Sequence, residues 1–350
     1  MTPLVPYHPP ALPSLDVEDR EALNDLYVRG TPENTLRAYE RDLIYLTAWK
    51  NAAFDETLTW PEREDVALRF ILDHSRDLTN ATGRARETAE ALIAMGLRKS
   101  LTCPAPSTLD RRIASWCAFH RMRNLSPPFD APLVRQARAK ARKAMARAPA
   151  PKSAHPITRE VLETLLAVRQ PGLRGLRDQA ILLFGWASGG RRRSEIVNLD
   201  REDVGLAEFE TKGLVWVQLP QTKTTGRGKT PRLVLKGLAA RALVAWIDAS
   251  AITEGALFRR ITRTGVLGQK RLSDAAVSQI VKRLLVKSGL GAEYAAPHGL
   301  RSGFLTQAAL DGAPLPAAMR LSLHRSPAQA QRYYDDVDIA ENPASDLLGL

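Results

Sequence analysis

The sequence predicts a mainly α-helical protein with a small antiparallel sheet, divided into an all-α N-terminal domain and an α+β C-terminal domain. Three observations carry that expectation. Apolar residues in the first half recur at spacings of three and four, the period of one helix face. A stretch rich in proline and alanine, Ala148-Pro149-Ala150-Pro151-Lys152-Ser153-Ala154-His155-Pro156, interrupts the chain in the manner of a linker. Beyond it, Leu214-Val215-Trp216-Val217-Gln218-Leu219 and the segment Arg232–Leu235 gather β-formers on either side of a turn-rich stretch from Thr222 to Lys229.

Taken in order, residues 1–14 are rich in proline and read as a flexible arm before a helical domain over 15–147. Thr31-Pro32 offers a cap and a first helical position, and Leu36, Tyr39, Leu43 and Leu46 mark the buried face of the helix that follows. Further helices are expected over 62–75, 84–99, 107–121 and 131–147. In the 107–121 helix the apolar face is Leu109, Ile113 and Trp116, with Arg111, Arg112, His120 and Arg121 pointing elsewhere. The linker spans 148–156 and the second domain 157–350. That domain opens with a buried helix near 176–187, passes through the hairpin, and closes with helices to the end.

The length of 350 residues suits two domains that each bury a core. Fifty lysines and arginines against 38 acidic residues leave a formal charge of +12, which favours a polyanionic partner, nucleic acid first among them. A membrane partner loses ground: no apolar run approaches the roughly 20 residues needed to span a bilayer, and the N-terminus lacks a basic flank followed by an apolar core. A cytoplasmic location is the expectation. Cys103 and Cys117 form no CxxC or Cys/His pattern, so two reduced structural thiols are expected rather than a disulfide framework or a zinc site. Residues 131–159 contain no acid, and Arg135, Arg138, Lys140, Arg142, Lys143 and Arg147 fall within them. Such a run is either a solvated helix face or a DNA-backbone contact, and its place beside the domain boundary favours DNA. The helix expected near 273–287 turns Val277, Ile280, Val281, Leu284 and Leu285 inward, leaving Gln279, Lys282, Arg283 and Lys287 for DNA or for solvent.

Several chemistries are excluded by missing motifs. HExxH, GxSxG and GxGxxG do not occur, and Gly228-Lys229-Thr230 resembles the end of a phosphate-binding loop but has Lys223 where that loop requires glycine. Nucleotide hydrolysis is not encoded. What remains is an ordered set of phosphate-seeking residues: Arg192 with Glu195, Lys223, His298 with Arg301, His324, and Tyr333. The three-residue step from His298 to Arg301 puts an imidazole and a guanidinium on one helix face, able to address one phosphate. Each residue alone has a commonplace reading as a surface charge or a packing residue; the order does not.

In that order the sequence resembles the tyrosine recombinase (phage integrase) family, of the simple two-domain kind. The family's catalytic domain presents Arg-x-x-Glu after a Thr-Gly-Leu turn, a hairpin lysine, His-x-x-Arg, a later His or Trp, and a tyrosine. Here stand Gly189-Gly190-Arg191-Arg192-Arg193-Ser194-Glu195, Thr222-Lys223-Thr224, His298-Gly299-Leu300-Arg301, and Leu323-His324-Arg325-Ser326 leading to Arg332-Tyr333-Tyr334. The helical half, beginning Thr35-Leu36-Arg37-Ala38-Tyr39, resembles the family's core-binding domain. Gly189 and Arg191 replace the threonine and leucine of the turn, and Leu323 replaces the glycine usual before the second histidine. Lys229 competes with Lys223 for the hairpin role, and Tyr334, about 100° round the helix from Tyr333, is the rival nucleophile.

The resemblance implies a 3′-phosphotyrosine intermediate formed by Tyr333, two arginines gripping the non-bridging oxygens, Lys223 protonating the departing 5′ oxygen, and His298 assisting proton transfer at the tyrosine. Glu195 would orient the cluster and His324 would donate to a phosphate oxygen. It further implies no cofactor, double-stranded DNA with inverted-repeat sites as partner, and self-association as a dimer on one site and a tetramer in synapsis. The tail Ser345-Asp346-Leu347-Leu348-Gly349-Leu350 suits docking on a neighbour or packing within the chain. Two alternatives share part of this pattern: a type IB topoisomerase, and a catalytically inactive DNA-binding relative.

Overall fold

The computed structural model describes residues 14–147, 152–219, 231–324 and 326–338. The chain forms two compact units, residues 1–149 and 150–350.

The first unit is helical: α1 (Val17–Gly30), α2 (Glu33–Phe54), α3 (Glu64–His74), α4 (Arg84–Ala94), α5 (Pro106–Arg121) and α6 (Pro132–Ala144). Helix α1 starts on a capping box between Asp16 and Asp19 yet buries no residue, which is why no apolar periodicity announces it in the sequence. Pro32 is the N-cap of α2 and Thr31 closes α1, so α2 starts one residue later than the Thr31-Pro32 signal placed it. The core is aromatic. Trp49, Phe70 and Trp116 pack edge-to-face with centroids 4.8 to 6.1 Å apart.

Polar groups are built into this core with partners. Lys50 and Glu62 form a fully buried ion pair at 2.8 Å, and Asp42 accepts from Ser115 and Arg111. Two residues expected to point away from the core do not. His120 is fully buried, its Nε2 accepting from the Glu62 N–H at 3.1 Å while its Nδ1 faces the Trp116 carbonyl. Arg112 lies with its guanidinium 3.2 Å from the Tyr45 ring centroid. Each pays for burial with a specific partner, which a hydrophobicity pattern does not register.

The second unit runs α7 (Arg159–Ala167), α8 (Gly172–Ala187), α9 (Arg193–Val197), β1 (Val204–Gly205), α10 (Phe209–Lys212), β2 (Val215–Gln218), β3 (Arg232–Leu235), α11 (Gly237–Ser250), β4 (Arg259–Ile261), β5 (Leu267–Arg271), α12 (Asp274–Lys287), α13 (Gly299–Leu310), α14 (Leu315–Ser322) and α15 (Pro327–Asp338). Strands β1, β2 and β3 make an antiparallel sheet in that order, with Val215 opposite Leu235 and Val217 opposite Leu233. These four side chains face one core with Ala180–Phe184 of α8 and Leu243 and Trp246 of α11. The hairpin β4–β5 stands where only helices were expected. Its strand Leu267-Gly268-Gln269-Lys270-Arg271 is largely polar and lacks the alternation that marks a strand in sequence.

Residues 152–157, most of them assigned by the sequence to a linker, are fastened to this unit. Ser153 is buried and exchanges bonds with Ala296, the His155 N–H donates to the Tyr294 carbonyl, and the Ile157 N–H donates to the Gly299 carbonyl at 2.8 Å. Among the described residues no helix is long and apolar enough to cross a membrane.

Candidate active site

The site begins at the turn that ends α8. Gly189 and Gly190 adopt φ of 99° and 72°, and both lie against other segments. A Cβ on Gly189 would sit 2.4 Å from the Leu321 carbonyl, and one on Gly190 would sit 2.2 Å from the Arg301 Cα. Two glycines are therefore needed on two counts, positive φ and close approach. The turn delivers Arg192 to the N-cap of α9. Glu195, buried three residues on, accepts the Arg192 backbone N–H at 3.1 Å with one oxygen and the Arg192 guanidinium at 2.5 Å with the other. One carboxylate thus caps a helix and orients an arginine that remains 37% exposed.

Helix α13 contributes the second pair. His298 is its N-cap, and the Arg301 N–H donates to the His298 carbonyl, so both side chains belong to the first turn. Arg301 is buried at 5% exposure, and its Nη1 donates to the Gly190 carbonyl at 3.0 Å. Its Nε and Nη2 each lie 3.2 Å from a ring nitrogen of His324. A neutral imidazole has one acceptor, so one of these two approaches is a hydrogen bond in either tautomer. The Ser322 hydroxyl holds His324 Nδ1 at 2.8 Å. His324 follows α14 through Leu323, which adopts the left-handed conformation at φ 54°.

The two tyrosines of α15 separate clearly. Tyr334 is buried in a small cluster with Leu305 and Ala318, and its hydroxyl donates to the Ala313 carbonyl at 2.9 Å. Tyr333 is half-buried, and its hydroxyl lies near enough to Arg301 to act on that guanidinium electrostatically.

Burial and positive charge dominate the electrostatics. His298 is taken down to about 4, first by burial and then by Lys152, Arg301 and Arg192. His324 is likewise taken to about 4 by burial, Arg301, Arg192, Arg191 and His298. Both imidazoles are neutral at pH 7. Burial lowers Arg301 to about 10, with Arg192 adding to the effect, and burial also lowers Arg191 to about 10. Both stay charged. A concentration of cations that depress one another's proton affinity is a site prepared for an anion.

In the sequence Arg191 stands only as a replacement for the leucine of the turn, and Lys152 as part of a linker. Arg191 is in fact buried and donates to the Leu321 carbonyl at 2.6 Å, and the Lys152 charge acts on His298. No local pattern signals either, since both depend on contacts between distant segments. Lys223 and Lys229, like the tail from Ser345, lie outside the described residues; the two lysines belong to the connection between β2 and β3.

The candidate DNA-binding residues divide by their partners. On and after α6, Arg135, Lys140 and Lys143 are exposed without an ion-pair partner among the described residues. Arg138 and Arg142 pair with Asp110 at 2.7 and 3.2 Å, and Arg147 donates to the Cys103 and Pro104 carbonyls. On α12, Val277, Ile280, Val281, Leu284 and Leu285 are buried, and Gln279 and Lys287 are exposed. Lys282 pairs with exposed Glu293 at 3.0 Å. Arg283 departs from its expected availability: it is half-buried and bonded to Asp178, which it shares with Arg177. With Gln279, Arg174, Arg177 and Arg260 it lines a recess of about 380 Å³.

Residues 156–338 match the model of the phage integrase family. Over 178 residues the chain is 34% identical to an integrase/recombinase XerD homolog of Selenomonas ruminantium, an alignment spanning 49% of this chain and 51% of that protein. Over 323 residues it is 28% identical to the tyrosine recombinase XerD of Xanthomonas axonopodis pv. citri, spanning 87% and 88%. Among solved structures, the Tn1549 transposon integrase in complex with transposon right-end DNA shares the fold, with a TM-score of 0.57 at 15% identity over 92% of this chain and 98% of that one. The family match covers more than half the chain and contains every described residue of the arginine–histidine–tyrosine cluster, so the chain belongs to the phage integrase family, the tyrosine recombinases.

Proposed function

We propose that the chain is a site-specific DNA recombinase whose second unit cuts and rejoins duplex DNA through Tyr333. The observation that carries this reading is the meeting of Arg192, Glu195, His298, Arg301 and His324 from three distant segments, with the Tyr333 hydroxyl in electrostatic reach of Arg301 and Tyr334 occupied elsewhere.

A phosphodiester repels nucleophiles by its charge, and a tyrosine hydroxyl is mostly protonated at neutral pH. Arg192 and Arg301 answer the first difficulty by receiving the charge that gathers on the non-bridging oxygens, with His324 donating beside them. Neutral His298 answers the second by accepting the phenolic proton. The Tyr333 oxygen bonds to phosphorus, the bond to the 5′ oxygen breaks, and that oxygen takes a proton from Lys223, or from Lys229 in its place. The product is a 3′-phosphotyrosine and a free 5′-hydroxyl. Attack by the 5′-hydroxyl of a second duplex reverses each transfer and restores the tyrosine. One phosphodiester is exchanged for another, so no nucleotide is consumed.

Exposed Arg135, Lys140 and Lys143 on one unit, and Gln279 and Lys287 on the other, supply backbone and base-edge contacts. Inverted-repeat sites held by a dimer, with two sites joined in a tetramer, complete the reading. The test is covalent capture: purified protein is incubated with genomic DNA, stopped with denaturing detergent, and the attached DNA is sequenced. Wild type enriching a short inverted repeat, with Tyr333→Phe enriching nothing, is the expected result. DNA binding by both proteins without capture by either refutes the reading, and relaxation of a plasmid lacking the site assigns topoisomerase activity instead.

A further inference from the structure

Leu323 caps α14 in the left-handed region, its N–H donating to the Met319 carbonyl at 2.8 Å. A side chain with a Cβ is disfavoured there by roughly 5- to 30-fold relative to glycine. His324 follows directly, so whatever holds this turn also sets the imidazole. Arg191 reaches the turn from the end of α8. Its side chain is fully buried and its Nη2 donates to the Leu321 carbonyl at 2.6 Å. Its Nε and Nη1 have no hydrogen-bond partner among the described residues, and Nη1 lies 3.8 Å from a Glu195 oxygen. A buried guanidinium with two nitrogens left without a protein partner among the described residues is a poor choice for stability alone, because an apolar side chain of similar length would fill the space without the desolvation cost.

We infer that Arg191 is a positioning residue for the reaction: its bond to the Leu321 carbonyl braces the strained turn so that His324 stays against Arg301, and its charge ties that turn to Glu195 and hence to Arg192. This rests on the recombinase reading of the cluster. Arg191 need not touch DNA. Arg301, Arg192, Arg191 and His298 are the charged or titratable groups that face His324, so losing Arg191 removes one of the cations that keep the imidazole neutral.

A double-mutant cycle on the full chain tests this, with the rate of covalent adduct formation measured on the duplex that wild type captures. Arg191→Met is expected to react up to about 100-fold more slowly at unchanged duplex affinity. It should melt no earlier than wild type, and the His324 ring resonances should titrate at higher pH. Arg191→Lys, which keeps a donor for Leu321, should recover part of the rate. In a Leu323→Gly background, where the turn carries no strain, Arg191→Met should cost several-fold less. Equal costs in the two backgrounds, or an Arg191→Met protein as fast as wild type, overturn the inference. Should Arg191→Met fail to fold, the Arg191→Met/Leu323→Gly double variant decides: folded and near wild-type in rate supports the inference, and unfolded overturns it. If wild type forms no adduct the recombinase reading falls and takes this inference with it; if wild type reacts and the cycle is additive, this inference alone falls.

Discussion

Replacing each tyrosine of α15 by phenylalanine removes one oxygen from adjacent residues and should give opposite results. Tyr334 is 8% exposed and donates to the Ala313 carbonyl at 2.9 Å. Phenylalanine keeps the ring in its cluster with Leu305 and Ala318 but deletes that bond. The loss is about 1 kcal/mol for one intramolecular hydrogen bond, and in a unit of this size about 2–4 °C in melting temperature. Adduct formation by Tyr334→Phe should persist. Tyr333 has only half-buried ring contacts, so Tyr333→Phe should melt as wild type does while forming no adduct at all. A nicked duplex carrying the captured site, resolved on a denaturing gel, reads the adduct, and a thermal melt of the same samples reads stability. Adduct formation by Tyr333→Phe refutes the assignment. So does loss of adduct in Tyr334→Phe without loss of stability.

Other perturbations follow from the same contacts. His298 and His324 titrate near 4 in the fold against 6.5 when exposed, so the unfolded chain binds more protons between those values. Their contribution to stability is therefore complete above about pH 6.5 and is lost as pH falls toward 4, a slope that melts at stepped pH should show and that His298→Gln with His324→Gln should flatten. Gly190→Ala sets a Cβ 2.2 Å from the Arg301 Cα and should abolish adduct formation in a single-turnover assay. Lys140→Ala and Lys143→Ala should each lower the slope of log affinity against log salt by about 0.9 in an anisotropy titration with duplex DNA, and Arg138→Ala, already paired with Asp110, should lower it less. Lys50→Ala strands the fully buried Glu62 and should cost about 3–5 kcal/mol in urea unfolding of the first unit.

The sequence made the fold class legible because two periods, one helical and one strand-like, are written in apolar residues such as Leu109, Ile113 and Trp116 and the Val215–Leu219 run. Helix α1 and hairpin β4–β5 escaped because their residues pack on little or alternate in no regular way. The described candidate site residues were picked out by order, spacing and family resemblance. Their surroundings were not. That His120 is interior, that Arg283 is spent on Asp178, and that Arg191 braces a turn all depend on partners 58 to 130 positions away. Spacing also could not choose between Tyr333 and Tyr334. The 100° between them gives two directions, and the Ala313 carbonyl lies in only one.

The order of the cluster along the chain has a bearing on biosynthesis. Arg192 and Glu195 leave the ribosome first, His298 and Arg301 follow about a hundred residues later, and Tyr333 comes after them all. The groups proposed to hold a phosphate are thus translated ahead of the tyrosine proposed to attack it. On the proposed reading, a polypeptide stalled anywhere before α15 lacks the nucleophile, however much of the remaining cluster it carries.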